Sequence, residues 1–275
     1  MSKVWLITGC SSGIGREIAR VALERGDRVV ATARNPESLA GLVEGFGERA
    51  LAVGLDVTDG AQSRHAVDAA VAAFGRLDVV CSCAGYGIIA ALEEHSEEQI
   101  EKNVTTNFVG PLRLFRAALP VMRAQRSGHL LVISAIAALA NHEGFAVYGG
   151  AKAGLEGACE ALALELRPLG IKVSMVLPGP TRTDFIGRSL EQGASKIADY
   201  DGTSGKFARL LAGMNGKQTG DPAKVAALTV ALTDEASPPL RVVTGKYAVT
   251  RAKLKLKSVN AEVEAWEARG VATDF

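Results

Sequence analysis

At 275 residues the chain is long enough for one α/β domain or at most two small ones, and its 48% apolar content can fill a large core. A formal net charge of +1 gives no electrostatic case for nucleic acid, and the longest apolar stretch, 130–140, is interrupted by Ser134 and too short to cross a bilayer. Four cysteines (Cys10, Cys81, Cys83, Cys159) show neither zinc spacing nor a disulfide framework, which predicts no metal and a reducing, cytoplasmic setting.

The first apolar run, Val4-Trp5-Leu6-Ile7, feeds Thr8-Gly9-Cys10-Ser11-Ser12-Gly13-Ile14-Gly15. A strand entering a glycine turn that opens a helix aims backbone N–H groups and a positive helix end at one spot, an arrangement that holds a pyrophosphate. Glycine turns also end strands for steric reasons alone, so the context decides. Here Ile18, Ala19, Ala22 and Leu23 recur at helical spacing opposite Arg16, Glu17, Arg20 and Glu24. Lys3 leads straight into a strand, which is not the pattern of a cleavable signal. Gly26 ends the helix and 28–33 reads as the next strand, giving a β-α-β unit.

The end of that second strand bears on cofactor choice. A carboxylate there accepts from the ribose hydroxyls of NAD, whereas an arginine suits the 2′-phosphate of NADP. Ala33 occupies the place, Arg34 follows, and no carboxylate lies between Asp27 and Glu37. The predicted cofactor is NADP(H), held at its phosphate by a forked guanidinium; the plainer alternative is Arg34 as a solvated surface charge.

Alternation continues with strands at 50–55, 77–83, 129–134 and 171–177 and helices at 62–74, about 104–125 and 148–166, the last stopped by Pro168 and Gly170. Near-continuous apolar strands joined by helical crossovers predict a Rossmann-type, doubly wound parallel sheet in three α/β/α layers. No repeat or linker divides the chain, so 1–275 reads as a single domain. The stretch 185–220 breaks the rhythm with seven glycines after a strand's carboxyl end; it is expected to be a mobile substrate lid rather than an inert excursion. Asp221-Pro222 starts another helix, 240–246 supplies the last strand, and the tail around Trp266 reads as an amphipathic helix packed on the domain.

Tyr148-Gly149-Gly150-Ala151-Lys152 places a phenol and an ammonium at i and i+4, on one helix face. The two glycines suggest close approach by ligand or backbone, or a helix-packing site. This Y-x-x-x-K and the T-G-x-x-x-G-x-G at 8–15 resemble the short-chain dehydrogenase/reductase family, and the resemblance covers almost the whole chain. It implies carbonyl–alcohol interconversion on a small to medium, largely apolar substrate, with Tyr148 as general acid. Lys152 would favour the phenolate and hold the nicotinamide ribose.

By the same resemblance, Gly9, Ser11, Ser12, Gly13, Ile14 and Gly15 line the pyrophosphate, Asp56-Val57 meets the adenine, and Ala84-Gly85 lies along the cofactor. Asn107 falls where the family has a helix-distorting asparagine that holds a water in the proton relay. Pro178-Gly179-Pro180-Thr181-Arg182-Thr183 resembles P-G-x-x-x-T, bringing Pro178, Gly179, Thr181 and Thr183 to the cofactor. Taken alone, Asp56 reads equally as a helix cap, Asn107 as a satisfied helix polar group, and Pro-Gly-Pro as a turn. Tyr86, His142, Phe145 and Phe185 are the substrate-side candidates, His142 reading equally as a surface-loop residue. The family's habit of assembly implies a homodimer or homotetramer.

Two departures stand out. The family's serine, which orients the substrate oxygen, lies thirteen residues before the tyrosine, and that position is Ala135. Ser134 is adjacent, but neighbouring side chains on a strand point to opposite faces. Cys81-Ser82-Cys83-Ala84-Gly85 stands where the family has N-N-A-G. The alternatives to redox work are therefore an isomerase, dehydratase or cyclase on the same fold, a catalytically idle NADP-binding protein, or an alanine introduced to trap a ligand.

Overall fold

The computed structural model describes residues 2–275 and begins with the expected unit, β1 (Val4–Ile7), α1 (Gly13–Glu24) and β2 (Arg28–Ala33). β1 is buried throughout, and the indole N–H of Trp5 donates to Asp27 at 2.8 Å, so the large ring enters the core without stranding its polar tip. α2 (Ala40–Val43) and β3 (Ala50–Gly54) precede α3 (Gly60–Phe74), which Asp59 caps by accepting from the Ala61 and Gln62 amides. β4 (Val79–Ser82) and β5 (Gly87–Ile89) lead to α4 (Glu97–Val104), begun by a Ser96/Gln99 capping box. One π turn, Thr105–Val109, joins α4 to α5 (Gly110–Gln125).

β6 (Gly128–Ile133), α6 (Ile136–Leu139), α7 (Ala146–Leu166) and β7 (Ile171–Pro178) follow. The glycine-rich stretch is ordered into α8 (Phe185–Arg188), β8 (Leu190–Gln192), a second π turn at Asp201–Gly205 and α9 (Lys206–Gly213). α10 (Pro222–Ala231), capped by Asp221 as expected, β9 (Arg241–Thr244) and α11 (Lys246–Val271) end the chain.

Seven strands form one parallel sheet in the order β3-β2-β1-β4-β6-β7-β9. Successive residues serve opposite faces. Leu6 joins the core under α3, α5 and α7, while Trp5 and Ile7 join the core under α1 and α10. This is the predicted three-layer, doubly wound architecture. The strand order reverses between β1 and β4, and every loop at the carboxyl ends opens on one edge, where such sheets bind ligands. β5 and β8 pair in parallel as a separate two-stranded sheet above that edge.

Two expectations need correction. The helix read over about 104–125 begins at Glu97 and is broken by the π turn; its first residues are mostly charged, so apolar periodicity did not reveal them. The tail is helical but does not pack on the domain. Ala248 and Ala252 are buried, whereas every residue from Lys253 on is exposed. Periodicity reports an apolar stripe without saying what covers it. Among the described residues, no helix is long and apolar enough to cross a membrane.

Candidate active site

The β1–α1 turn is shaped by two close approaches. Gly9 has φ 74°, and a Cβ on it would meet the Ala84 backbone at 2.9 Å; a Cβ on Gly15 would meet the Gly9 carbonyl oxygen at 2.5 Å. Thr8 Oγ1 accepts from the amides of Cys83 (3.0 Å) and Ala84 (3.0 Å), tying this turn to the end of β4 across the sheet's switch point. Ser12 is the N-cap of α1, yet its side chain makes no cap bond, so the first-turn amides of α1 lack the side-chain partner that α3, α4 and α10 possess. Ser11 and Ile14 lie in the same turn. Thr183 reaches it from the far side: a Cβ on Gly13 would sit 3.4 Å from the Thr183 side chain.

α7 carries Tyr148 and Lys152, both buried. The phenol ring meets Phe145 edge-on at 5.2 Å between centroids and Phe185 at 5.8 Å. Lys152 Nζ donates to the Ile133 carbonyl at 3.1 Å. Asn107 sits in the π turn, where the widened helix lets its amide donate to the Tyr86 carbonyl at 2.9 Å and the Asn103 carbonyl at 3.1 Å. Its Oδ1 is buried and has no partner. A Cβ on Gly85 would lie 2.6 Å from that oxygen and 3.3 Å from Lys152 Nζ, so both groups close on one point of the backbone where only a glycine fits.

Burial sets the protonation of the pair. It pushes the Tyr148 phenol above its ordinary range, the nearby Cys83 adding to the effect, and it pulls Lys152 down to about 8. In the protein alone, burial is the larger influence on the phenol. Desolvation outweighs the charge when both groups are enclosed. The Cys83 thiol is likewise pushed up to about 12 by burial, which keeps it an uncharged neighbour.

Ala135 takes extended backbone at the N-cap of α6 and packs in the apolar cluster that holds Ile88, Ile89, Phe145 and Tyr148. Ser134 is engaged elsewhere: its hydroxyl donates to Glu156 at 2.6 Å, and Glu156 also accepts from Arg241 at 3.0 Å. The alternation argument therefore holds, and no serine joins Tyr148 from this strand end.

The remaining candidates divide. Asp56 accepts from the Thr58 amide and hydroxyl at 2.9 and 2.7 Å, and the cap of α3 is Asp59, which removes the capping reading of Asp56. Val57 is buried against Gly110. Pro178 ends β7, the Gly179 amide donates to Thr244 at 3.0 Å, and Thr181 bridges to Gly220. Arg34 is exposed just past β2, while Asp27, at the strand's other end, is taken by Trp5 and Arg25. Gly149 makes room for Asn141, and Gly150 faces open space. The Tyr86 carbonyl serves Asn107, while its ring lies 5.3 Å from the Lys102 ammonium. His142 does not reach Tyr148. It stacks on Phe207 at 4.6 Å, and Phe207 in turn meets Phe145 at 5.5 Å.

Three residues escaped the sequence reading. Phe207 bridges the inner aromatics to His142; Tyr247 exchanges a 2.9 Å hydrogen bond with His142 Nε2; Arg188 donates to the Ser12 hydroxyl, laying α8 across the glycine turn. All three come from segments remote in sequence, and none carried a motif. The resulting arrangement has a buried phenol, an ammonium and an orphaned acceptor at one strand edge, roofed by apolar side chains from 185–220.

The short chain dehydrogenase family model matches residues 3–221. The oxidoreductase BOA17 of Botryotinia fuckeliana (strain B05.10) is 38% identical over 274 residues, 99% of this chain and 100% of that protein. The 3-ketodihydrosphingosine reductase of Bacteroides thetaiotaomicron is 35% identical over 248 residues, 88% of each chain. A short-chain dehydrogenase crystal structure from Streptomyces avermitilis matches with a TM-score of 0.92 at 39% identity, covering 99% of this chain and 98% of that one. Motif, sheet order and full-length similarity agree, and the chain belongs to the short-chain dehydrogenase family of oxidoreductases.

Proposed function

We propose that the protein is an NADP(H)-dependent reductase that interconverts a carbonyl and an alcohol on a small to medium, largely apolar substrate. The observation that carries this reading is the convergence on Gly85 of the unpartnered Asn107 Oδ1 and of Lys152 Nζ, which follows Tyr148 by one helical turn. A buried orphaned acceptor next to an ammonium suits a hydroxyl-bearing ligand. The close-approach glycines and the uncapped start of α1 fit a dinucleotide diphosphate.

The residues then take roles. The amides of Gly9, Ser11, Ser12, Gly13, Ile14 and Gly15 would receive the diphosphate, and Asp56, Val57, Ala84 and Gly85 would border the adenosine side. Lys152 would hold the ribose, and Pro178, Gly179, Thr181 and Thr183 would lie on the nicotinamide side. When bound, the cofactor supplies the hydride. Tyr148 gives its proton to the carbonyl oxygen, and Asn107 steadies the water through which that proton is replaced. Phe145 and Phe185 exclude water around the substrate, with Tyr86 and His142 further out. The name of the Bacteroides relative, a reductase of a 3-keto compound, supports a ketone as substrate.

Ala135 favours a second reading. Without the usual hydroxyl, the chain could run an isomerisation, dehydration or cyclisation, or serve as an idle NADP-binding protein; a product of unchanged redox state would mark the first.

Cofactor choice rests on Arg34. NADPH should bind at least about tenfold more tightly than NADH, roughly 1.4 kcal/mol, and Arg34→Ala should erase most of that preference. Calorimetric titration is the test, and equal affinities in the parent chain would contradict it.

The stretch 185–220 is proposed as the substrate lid, since Phe185, Phe207 and Leu211 roof Tyr148 and Arg188 crosses the glycine turn. Its amides should exchange fastest among the site elements without ligand and slow when cofactor and substrate bind. Hydrogen exchange that is uniformly slow in both conditions would reject a mobile lid.

A further inference from the structure

α11 is 26 residues long, yet it touches the domain only through its first turns, where Ala248 and Ala252 pack with Ile136 and Ala140. From Lys253 onward each side chain is exposed. A helical arm of this kind is marginal in water unless something covers its apolar face. That face is regular. Beyond Ala252, which the domain covers, Leu256, Val259, Val263 and Trp266 follow one another in steps of three and four, the a/d repeat of a two-stranded coiled coil. Leu256, Val263 and Trp266 stand 58%, 62% and 62% exposed.

The charges say what lies opposite. Lys253, Lys255 and Lys257 precede Val259, and Glu262, Glu264 and Glu267 follow it. Two copies aligned in parallel would set lysines against lysines and glutamates against glutamates. Two copies aligned antiparallel set each basic half against the other's acidic half. In that arrangement, with the two-fold axis near Asn260, the positions flanking the seam bring Lys253 towards Glu267 and Asn260 towards its own counterpart, with apolar layers between. An anionic lipid surface would attract one half of this helix and repel the other.

We propose that α11 is a self-association arm, pairing antiparallel with the α11 of a second copy about a two-fold axis near Asn260. The contact is isologous and closes on itself, so it yields a dimer, or joins dimers formed through other faces.

The test uses the full chain. Light scattering should show an even-numbered oligomer for the parent at micromolar concentration. Val259→Glu with Val263→Glu should halve its mass while the melting temperature of the domain holds. Because that variant could simply unwind the arm, charge reversal supplies an independent arm. Lys253→Glu, and separately Glu267→Lys, should each weaken self-association at least about tenfold, and mixing the two variants should restore pairing. Asn260→Cys should cross-link to a double-mass band under mild oxidation, the native Cys10, Cys81 and Cys159 being buried. A monomeric parent, with or without binding to anionic vesicles, would overturn the proposal. An unchanged mass in the valine variant, or faster cross-linking by Val259→Cys than by Asn260→Cys, would overturn it as well.

Discussion

Tyr148→Phe should lower carbonyl reduction by about 10²- to 10⁴-fold, the usual loss when a positioned proton donor is removed. The substitution keeps the ring, so the contacts with Phe145 and Phe185 stay, and cofactor affinity should be unchanged. The loss should therefore appear in kcat rather than in binding. The pH profile gives a second signature. Burial pulls Lys152 down to about 8, so in the parent it is charged below that pH and neutral above it. The phenol, pushed the other way, stays protonated over the same range. Reduction needs the proton on Tyr148 and the charge on Lys152, so kcat/KM should fall as pH rises past about 8. A profile flat to about pH 10, or a Tyr148→Phe variant as fast as the parent, would remove the tyrosine–lysine pair from the chemistry.

The second large effect is a gain. Ala135→Ser should raise NADPH-dependent reduction by about tenfold or more, because one donor aimed at a developing oxyanion can contribute up to about 4 kcal/mol. The backbone there is extended, with φ −155°, a conformation that serine adopts without strain. Two neighbouring candidates are engaged elsewhere: Ser134 is bound to Glu156, and Phe207 and Phe145 stand between His142 and Tyr148. Tyr148→Phe in the Ala135→Ser background should abolish the gain, since the two hydroxyls would act on one oxygen. Steady-state rates on the four chains complete the cycle. No gain for any carbonyl that the parent reduces would mean that another group already orients the oxygen.

Much of the fold was legible because its signals are local. Continuous apolar strands, helical periodicity and the glycine turn after β1 each lie within about a dozen residues, so the sheet and its helices followed from the order of the segments. Asp221 as a helix cap and the turn of Ser134 away from Tyr148 were equally local inferences. What escaped was set by contacts distant in sequence. Arg188 meets Ser12 across the whole sheet edge, Phe207 inserts between His142 and Phe145, and Tyr247 reaches back from the last helix. The upward push on the Tyr148 phenol was not legible for a related reason: i,i+4 spacing shows that Lys152 is near, but burial is a tertiary property. The tail shows the limit from the other side. Its stripe was plain in the sequence, while its lack of cover within the domain was not.

Tyr148, with Lys152 and Asn107 beside Gly85, is assigned to hydride reduction of a carbonyl. The most direct measurement is product analysis of the parent chain incubated with NADPH and a panel of apolar ketones, alongside Tyr148→Phe. The account predicts one alcohol formed for each NADPH consumed, and loss of both in the variant. Products of unchanged redox state, or no NADPH consumption with any ketone in the panel, would contradict it.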